Sequence, residues 1–374
     1  MLKCKRNKFS LSRKVTYINC AYMSPMLKKV EKAGKKGIAV KRRPYQISIE
    51  DFFGETELLR TEFAQLIDSD QTNRNVLIPS VSYGMANVAQ NLPKKKGKIL
   101  IAKDQFPSNK YPWDQYKVVA IDKPTDEGKS WTEAILDQID EEVAAVCLPH
   151  THWVDGSLFD LVAIREKTRT TSSALVIDGT QSVGALPFSV QTIDPDALIV
   201  AGYKWMFGPY GLGVAYYGEM FDNGKPIEQN WINRKNSEDF GNLADYRSDY
   251  QSGALRYEVG EHSNFILVPM LLTAIQQLNK WKPENIQEYL QNLTEGPVEE
   301  LTNLGYQIDS LDHRAAHLFG FRFPESIDPV RVKEALDQNR INVSFRGDAI
   351  RVAPNVYNDE RDMKKLVKAL RSAV

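Results

Sequence analysis

Cysteine is scarce in this sequence. Cys4, Cys20 and Cys147 are all there is, an odd set with no C-x-x-C pair. That argues against a disulfide framework and supplies no thiolate cluster for zinc. No uninterrupted apolar run approaches the roughly 20 residues that a membrane-spanning helix needs. The opening stretch, MLKCKRNKFSLSRK, is basic but lacks the apolar centre of a secretory signal. Neither sign of charge is in excess, with Lys+Arg and Asp+Glu at 48 each. No charge field therefore invites nucleic acid or an anionic membrane. Internal repeats and low-complexity tracts are also missing. These absences leave a soluble cytoplasmic protein as the expectation, with a small neutral or zwitterionic molecule as its partner.

What is present is an alternating pattern. The 374 residues, 42% of them hydrophobic, exceed one ordinary core, so a large domain plus a smaller one is expected. Residues 1–50 read as an N-terminal arm whose basic stretch, KKVEKAGKKGIAVKRRPY, is a solvated surface. Residues 51–282 form the large domain. Short β-rich runs (NVLIPS, KILIAK, KVVAID, AAVCLP, ALVID, ALIVAG, LGVAYY) alternate there with helix-like segments such as WTEAILDQID and DLVAIREKTR. That alternation predicts βαβ units and an α/β fold, with a mostly parallel sheet covered by helices on both faces. Residues 222–264 are polar and aromatic without periodicity, and a loop that long usually has a job or lies in an interface. After a break at Lys282-Pro283, residues 283–374 read as a small α+β domain.

The chemistry centres on three residues. The run ALVID ends at Asp178, Gln181 follows in DGTQSVGALPF, and Lys204 lies further on in AGYKWMFGPYGLG. Asp178 falls at a strand's carboxyl end, where open α/β sheets bind ligands. Lys204 is the only charged residue between Asp196 and Glu219. A lysine in so apolar a stretch is desolvated, which lowers its pKa and frees the amine as a nucleophile. A Schiff-base lysine needs that property. An aspartate on the pyridine nitrogen of pyridoxal 5'-phosphate (PLP) would keep that ring protonated and electron-accepting. Gln181 is placed to donate to the ring's phenolic oxygen.

Residues 174–217 resemble the cofactor core of the class V aminotransferase superfamily: DGTQSVGALPF its D-G-A-Q-x-x-G stretch, YKWMFGPYGLG its lysine-plus-glycine turn. Across most of the chain the resemblance is nearest to the kynureninase-like branch. It implies a PLP-dependent transferase of fold type I, with a seven-stranded-type sheet, a small C-terminal domain, and a homodimer whose active sites lie at the subunit interface.

Other motifs fit that resemblance, each with a plainer alternative. Ser82-Tyr83-Gly84 lies between a strand end and an apolar-striped helix, where free N–H groups favour a phosphate; Ser is also an ordinary N-cap. Phe106 in KDQFPSNKYPW is implied to stack on the pyridine face, although an aromatic there is more often core. Tyr203 is implied to reach the phosphate. His150 and His152 stand two apart, but no further ligand cluster makes them a metal site. His152 and Trp153 either border the cofactor or belong to a packed loop. Arg351 in AIRVAPNVYN is implied to grip the substrate α-carboxylate, a task suited to a guanidinium; a surface salt bridge is the alternative. In RYEVGEHSN, Ser263 and His262 are candidates to reach the partner subunit's phosphate. Arg256 is either a second contact to an acidic substrate group or an ordinary ion pair.

For the reaction, the expectation is a class V aminotransferase working on an amino acid through Lys204. The alternatives are a lyase or hydrolase of kynureninase type or an epimerase, and a non-catalytic PLP-binding protein. Persulfide chemistry is disfavoured, because all three cysteines precede Lys204 and Cys147 sits inside an apolar strand.

Overall fold

A computed structural model describes residues 2–93, 97–125, 129–323, 327–346 and 349–373. Its main sheet has seven strands: β1 (Asn75–Ile78), β2 (Lys98–Ala102), β3 (Lys117–Ile121), β4 (Val143–Pro149), β5 (Ala174–Asp178), β6 (Ala197–Ala201) and β7 (Gly213–Tyr217). Their spatial order is β1-β7-β6-β5-β4-β2-β3. Only β7 runs against its neighbours, pairing antiparallel with β1 and β6; the other pairs are parallel.

The strands are apolar throughout because both faces are covered. Leu77, Leu100, Val146, Leu175, Ile177, Leu198 and Val200 join one core. Their alternating neighbours Val76, Ile99, Ile101, Cys147, Val176, Ile199 and Ala215 join the other. Period-two side-chain placement with two buried faces gives continuous rather than alternating hydrophobic runs. Helices Glu50–Leu66 and Leu267–Trp281 bring Leu59, Phe63, Leu271 and Ile275 to the first core. Helix Val81–Asn91 brings Met85 and Val88 to the second. Helix Lys28–Val40 turns its lysines outward and buries Val30, Gly34 and Gly37. No described helix is long and apolar enough to cross a membrane.

A second, antiparallel sheet has the order Ser344–Arg346, Ala349–Val352, Phe319–Arg322, Gln307–Ile308. It meets the main sheet through the loop after β4, where Gly320 N donates to Asp155 O at 3.0 Å. A side chain at Gly320 would strike that backbone, its Cβ 2.8 Å from Asp155 Cα. Residues 16–24 tie both sheets together. Thr16–Tyr17 pairs with Ile341–Asn342, Ile18 and Cys20 are buried, and Ser24 N and Oγ each donate to Tyr203 O at 3.1 Å.

Candidate active site

The carboxyl ends of β1, β2, β4, β5 and β6 converge on a cavity of about 270 Å³. Lys204 lies on the connection from β6 to β7. That loop is pinched at its base, with Gly202 N donating to Leu212 O at 3.0 Å. Gly202 has no room for a side chain, since a Cβ there would sit 2.5 Å from the same carbonyl. Gly211, at φ 87°, supplies the left-handed turn that brings the chain into β7. The apolar neighbours Trp205, Met206 and Phe207 go into the core and carry Lys204 with them, leaving it 6% exposed.

The Lys204 amine projects into the cavity with Nζ 5.1 Å from the centroid of the Phe106 ring and 5.6 Å from that of Tyr203. Burial pulls its pKa down from 10.5 to about 8; Asp178 opposes the fall, while Arg351 and Arg346 assist it. Asp178, at the end of β5, is buried as well. Burial raises its pKa, against hydrogen bonds from Thr180 and the charge of Lys204. Thr180 N donates to Asp178 Oδ1 at 3.0 Å, and Thr180 Oγ1 accepts from Ala201 N at 3.1 Å. One threonine thus ties the carboxylate to the strand that leads to the lysine.

Gln181 also lines the cavity. Its Nε2 donates to Ala21 O at 3.1 Å and its Oε1 accepts from Trp205 Nε1 at 2.8 Å. Behind it His317 Nε2 lies 2.7 Å from Gln181 O.

Helix Val81–Asn91 opens at a cap on Ser80, whose Oγ accepts from Tyr83 N at 3.2 Å. The groups facing the cavity are therefore Ser80, Val81 and Ser82, with Ser82 Oγ donating to Ser108 Oγ at 3.2 Å. Tyr83 turns aside to donate to Glu228 at 3.0 Å. Gly84 lies a turn inside the helix against β6, where a Cβ would sit 2.7 Å from Ile199 Cγ2. Of the sequence triplet, Ser82 alone meets the cavity.

Phe106 and Trp153 form one wall, edge to face with ring centroids 5.4 Å apart. The indole N–H of Trp153 donates to Asp104 O at 2.7 Å. His152 points the other way: it is buried, its ring 4.8 Å from Trp131. Its Nδ1 lies 3.3 Å from Asp155 Oδ1, without hydrogen-bond geometry. His150 is half-buried beside Phe188, ring centroids 5.7 Å apart, and desolvation lowers its pKa to about 4. Tyr203 lines the cavity beside Tyr210, which is 70% exposed at the rim.

Arg351 is 1% exposed. It donates from Nη1 to Trp153 O at 2.8 Å and from Nη2 to Ser344 Oγ at 3.4 Å, and burial lowers its pKa to about 9. Arg256 and Ser263 do not line this chain's own cavity. Arg256 Nη1 donates to Gly224 O at 3.2 Å. His262 is buried, its Nε2 3.4 Å from Glu258 Oε2.

The cavity residues that escaped the sequence reading include Ser80, Ser108, Thr180 and Tyr210, and two whose polar atoms have no partner. Gln105 is 8% exposed and neither of its amide atoms has a partner; Thr151, fully buried, has none for its hydroxyl. Both line the cavity. Buried polar groups are nearly always satisfied, so orphans facing a cavity mark where a ligand's polar atoms go. With a buried, deprotonatable amine, an aspartate behind it and serine and backbone donors at a helix start, they fit a pyridine aldehyde bearing a phosphate.

The comparisons agree with that fit. The chain is 26% identical over 330 residues to the uncharacterized aminotransferase YcbU of Bacillus subtilis, covering 84% of this chain and 82% of that one. It is 26% identical over 257 residues to a kynureninase of Lodderomyces elongisporus, covering 63% and 55%. In structure it is similar to the apo cysteine desulfurase of Thermococcus onnurineus, with a TM-score of 0.85 at 19% identity over 100% of this chain and 98% of that one. It is also similar to the cystine C-S lyase C-DES, with a TM-score of 0.84 at 19% identity over 96% and 97%. The model of the family described as aminotransferase class-V matches residues 39–369, and by that match the chain belongs to this PLP-dependent family.

Proposed function

We propose that the protein is an aminotransferase that moves the amino group of an amino acid through Lys204. The observation that carries this reading is the Lys204 amine: buried, with a pKa lowered to about 8 by that burial, and projecting over Phe106 beside Asp178. In this reading Lys204 Nζ holds the aldehyde carbon of PLP, and Asp178 holds the proton of the ring nitrogen. Phe106 covers one ring face, and the N–H groups of the helix start with Ser82 and Ser108 hold the phosphate. PLP, when bound, supplies an electron-accepting ring that acidifies the substrate Cα–H bond. Arg351 receives the α-carboxylate and so fixes which Cα bond stands beside Lys204. Once the substrate's amino group has displaced it from that carbon, the freed Nζ amine would take the Cα proton as general base and hand it on.

Cysteine chemistry is not part of the reading. Cys20 and Cys147 are buried, and no described cysteine lines the cavity. Burial raises the pKa of Cys20 to about 12. Tyr210, exposed at the cavity rim, and Ser263, outside this chain's own cavity, support a homodimer in which a second copy closes the site.

The test is to load the protein with PLP, reduce it with borohydride and map the adduct, expected on Lys204 and absent from Lys204→Ala. Amino acids are then offered with and without a keto acid. Transfer that requires the keto acid supports the reading. Alanine, pyruvate or ammonia released without an acceptor assigns a lyase of kynureninase type instead.

A further inference from the structure

Two guanidinium groups stand behind Trp153, a residue of the cavity wall, and among the described residues neither has an acid. Arg351 spends its Nη groups on a carbonyl and a hydroxyl, and its Nε is buried without a partner. Arg346, on the paired strand, donates from Nη1 to Phe345 O at 2.9 Å, and its Nε is also buried without a partner. Both face the same indole, with Cζ of Arg346 5.3 Å and Cζ of Arg351 6.0 Å from the Trp153 ring centroid. Trp153 lines the cavity. Among the described residues the groups whose charge reaches the two arginines are each other, Lys204, Tyr17, Tyr22 and Cys20, and no carboxylate is among them.

Arg256 is similar, with its Nε buried without a partner and its Nη1 on the Gly224 carbonyl, but the other buried arginines among the described residues are compensated. Arg6 pairs with Asp362, Arg60 with Glu258 and Arg74 with Asp222. Arg314 has no ion pair but gives its donors to the carbonyls of Asp309 and Ala315. Uncompensated cations side by side in a half-dry site are costly, and an incoming anion relieves that cost. One substrate α-carboxylate matches Arg351. The cofactor phosphate is assigned to the helix start at Ser82, so among the described residues Arg346 is still without a counter-charge.

We propose that Arg346, stacked on Trp153, binds a second carboxylate on the substrate side chain, so that the site takes amino acids with an acidic side chain. This rests on the reading of the site given above. Guanidinium suits the role because its planar fork holds a carboxylate at two points.

The test is a calorimetric titration of the PLP-loaded protein with glutarate and succinate, and with butyrate as the one-carboxylate control, at constant ionic strength. A dicarboxylate is expected to bind about tenfold more tightly than butyrate or better, the scale of one charge-assisted hydrogen bond. Arg346→Gln is expected to remove that preference while leaving butyrate within about threefold, and Arg346→Lys to restore part of it. Arg351→Gln should weaken all three ligands. Equal affinity of the wild-type protein for glutarate and butyrate overturns the proposal. So does an Arg346→Gln variant that loses butyrate as heavily as glutarate, because Arg346 then only shares the α-carboxylate. A missing borohydride adduct on Lys204 defeats the parent reading and this one with it. An intact adduct without dicarboxylate preference defeats this one alone.

Discussion

Lys204 holds its amine over the face of Phe106, Nζ 5.1 Å from the ring centroid, in a setting that keeps the nitrogen short of solvent. The contact recovers part of the cost of burying a cation, because an aromatic face is electron-rich. The remaining cost depends on pH in a predictable direction.

An ordinary lysine titrates at 10.5, and burial brings Lys204 to about 8. Below pH 8 both folded and unfolded chains carry the proton, so the folded state bears the whole penalty. Between 8 and 10.5 the unfolded chain holds a proton that the folded one has released, so stability climbs with pH. Above that window the penalty is gone. Replacing Lys204 by Met should therefore stabilise the apoprotein at pH 7, by on the order of 3 kcal/mol from the size of the shift. The gain should vanish near pH 10.5. Urea unfolding of both proteins at pH 7 and 10.5 checks this. A gain of equal size at both pH values would mean that packing, not charge, drives it.

Gln105 gives a test with two opposed signs. Its amide is buried and unpartnered on both atoms, and an orphaned buried polar group costs about 1–3 kcal/mol. Gln105→Leu should raise apoprotein stability by about 1 kcal/mol and weaken PLP or amino-acid binding by about tenfold. Thermal unfolding of the apoprotein and titration of the ligands give the two readouts. A variant that loses both stability and affinity would show that the amide serves packing alone.

The fold and the placing of Lys204 and Asp178 in one cavity were legible because both rest on one-dimensional patterns. Apolar runs buried on two faces announce parallel strands, and a lone charge in an apolar stretch announces Lys204. Misplacement began where the pattern ended. His150 and His152 stand two apart, a spacing that would share one side of a strand, but β4 stops at Pro149 and His152 turns back, its N–H donating to Ser157 O at 2.8 Å. Two serines compete as the helix cap, and Ser80 rather than Ser82 takes that role. Tyr83 and Gly84 therefore fall inside the helix and off the cavity. Gln105, Thr151 and Arg346 matter for what they lack, and a missing partner is a property of three dimensions.

The Gly84 placement can be checked without touching the chemistry. Alanine is the better helix former by about 1 kcal/mol. Here, however, its Cβ meets Ile199 Cγ2 at 2.7 Å and Ile78 Cδ1 at 3.1 Å, both fully buried. Overpacking of that kind costs about 1–3 kcal/mol. Gly84→Ala should lower the melting temperature yet leave PLP affinity within about twofold. A variant that keeps its stability and loses PLP would return Gly84 to the phosphate site.

Glu258 shows how the segment after the long loop is fixed before it can serve any neighbour. Its carboxylate pairs with Arg60, accepts from Leu77 N at 2.9 Å and lies 3.4 Å from His262 Nε2. Burial would raise its pKa, but Arg60 and His262 hold it below the ordinary glutamate value. Stability from this group is present above the unfolded carboxylate pKa and lost as pH falls through the folded one. Glu258→Gln leaves Arg60 with a neutral buried partner and only the exposed Glu57 as counter-charge, so the loss should approach the about 3–5 kcal/mol of a broken buried pair from below. Urea unfolding at pH 7 should show that loss. The gap to wild type should narrow on acidification, because protonation removes the same charge from the wild-type protein. A gap that stays constant down to the acid transition would mean that the amide's altered hydrogen bonds, and not the lost charge, destabilise the variant.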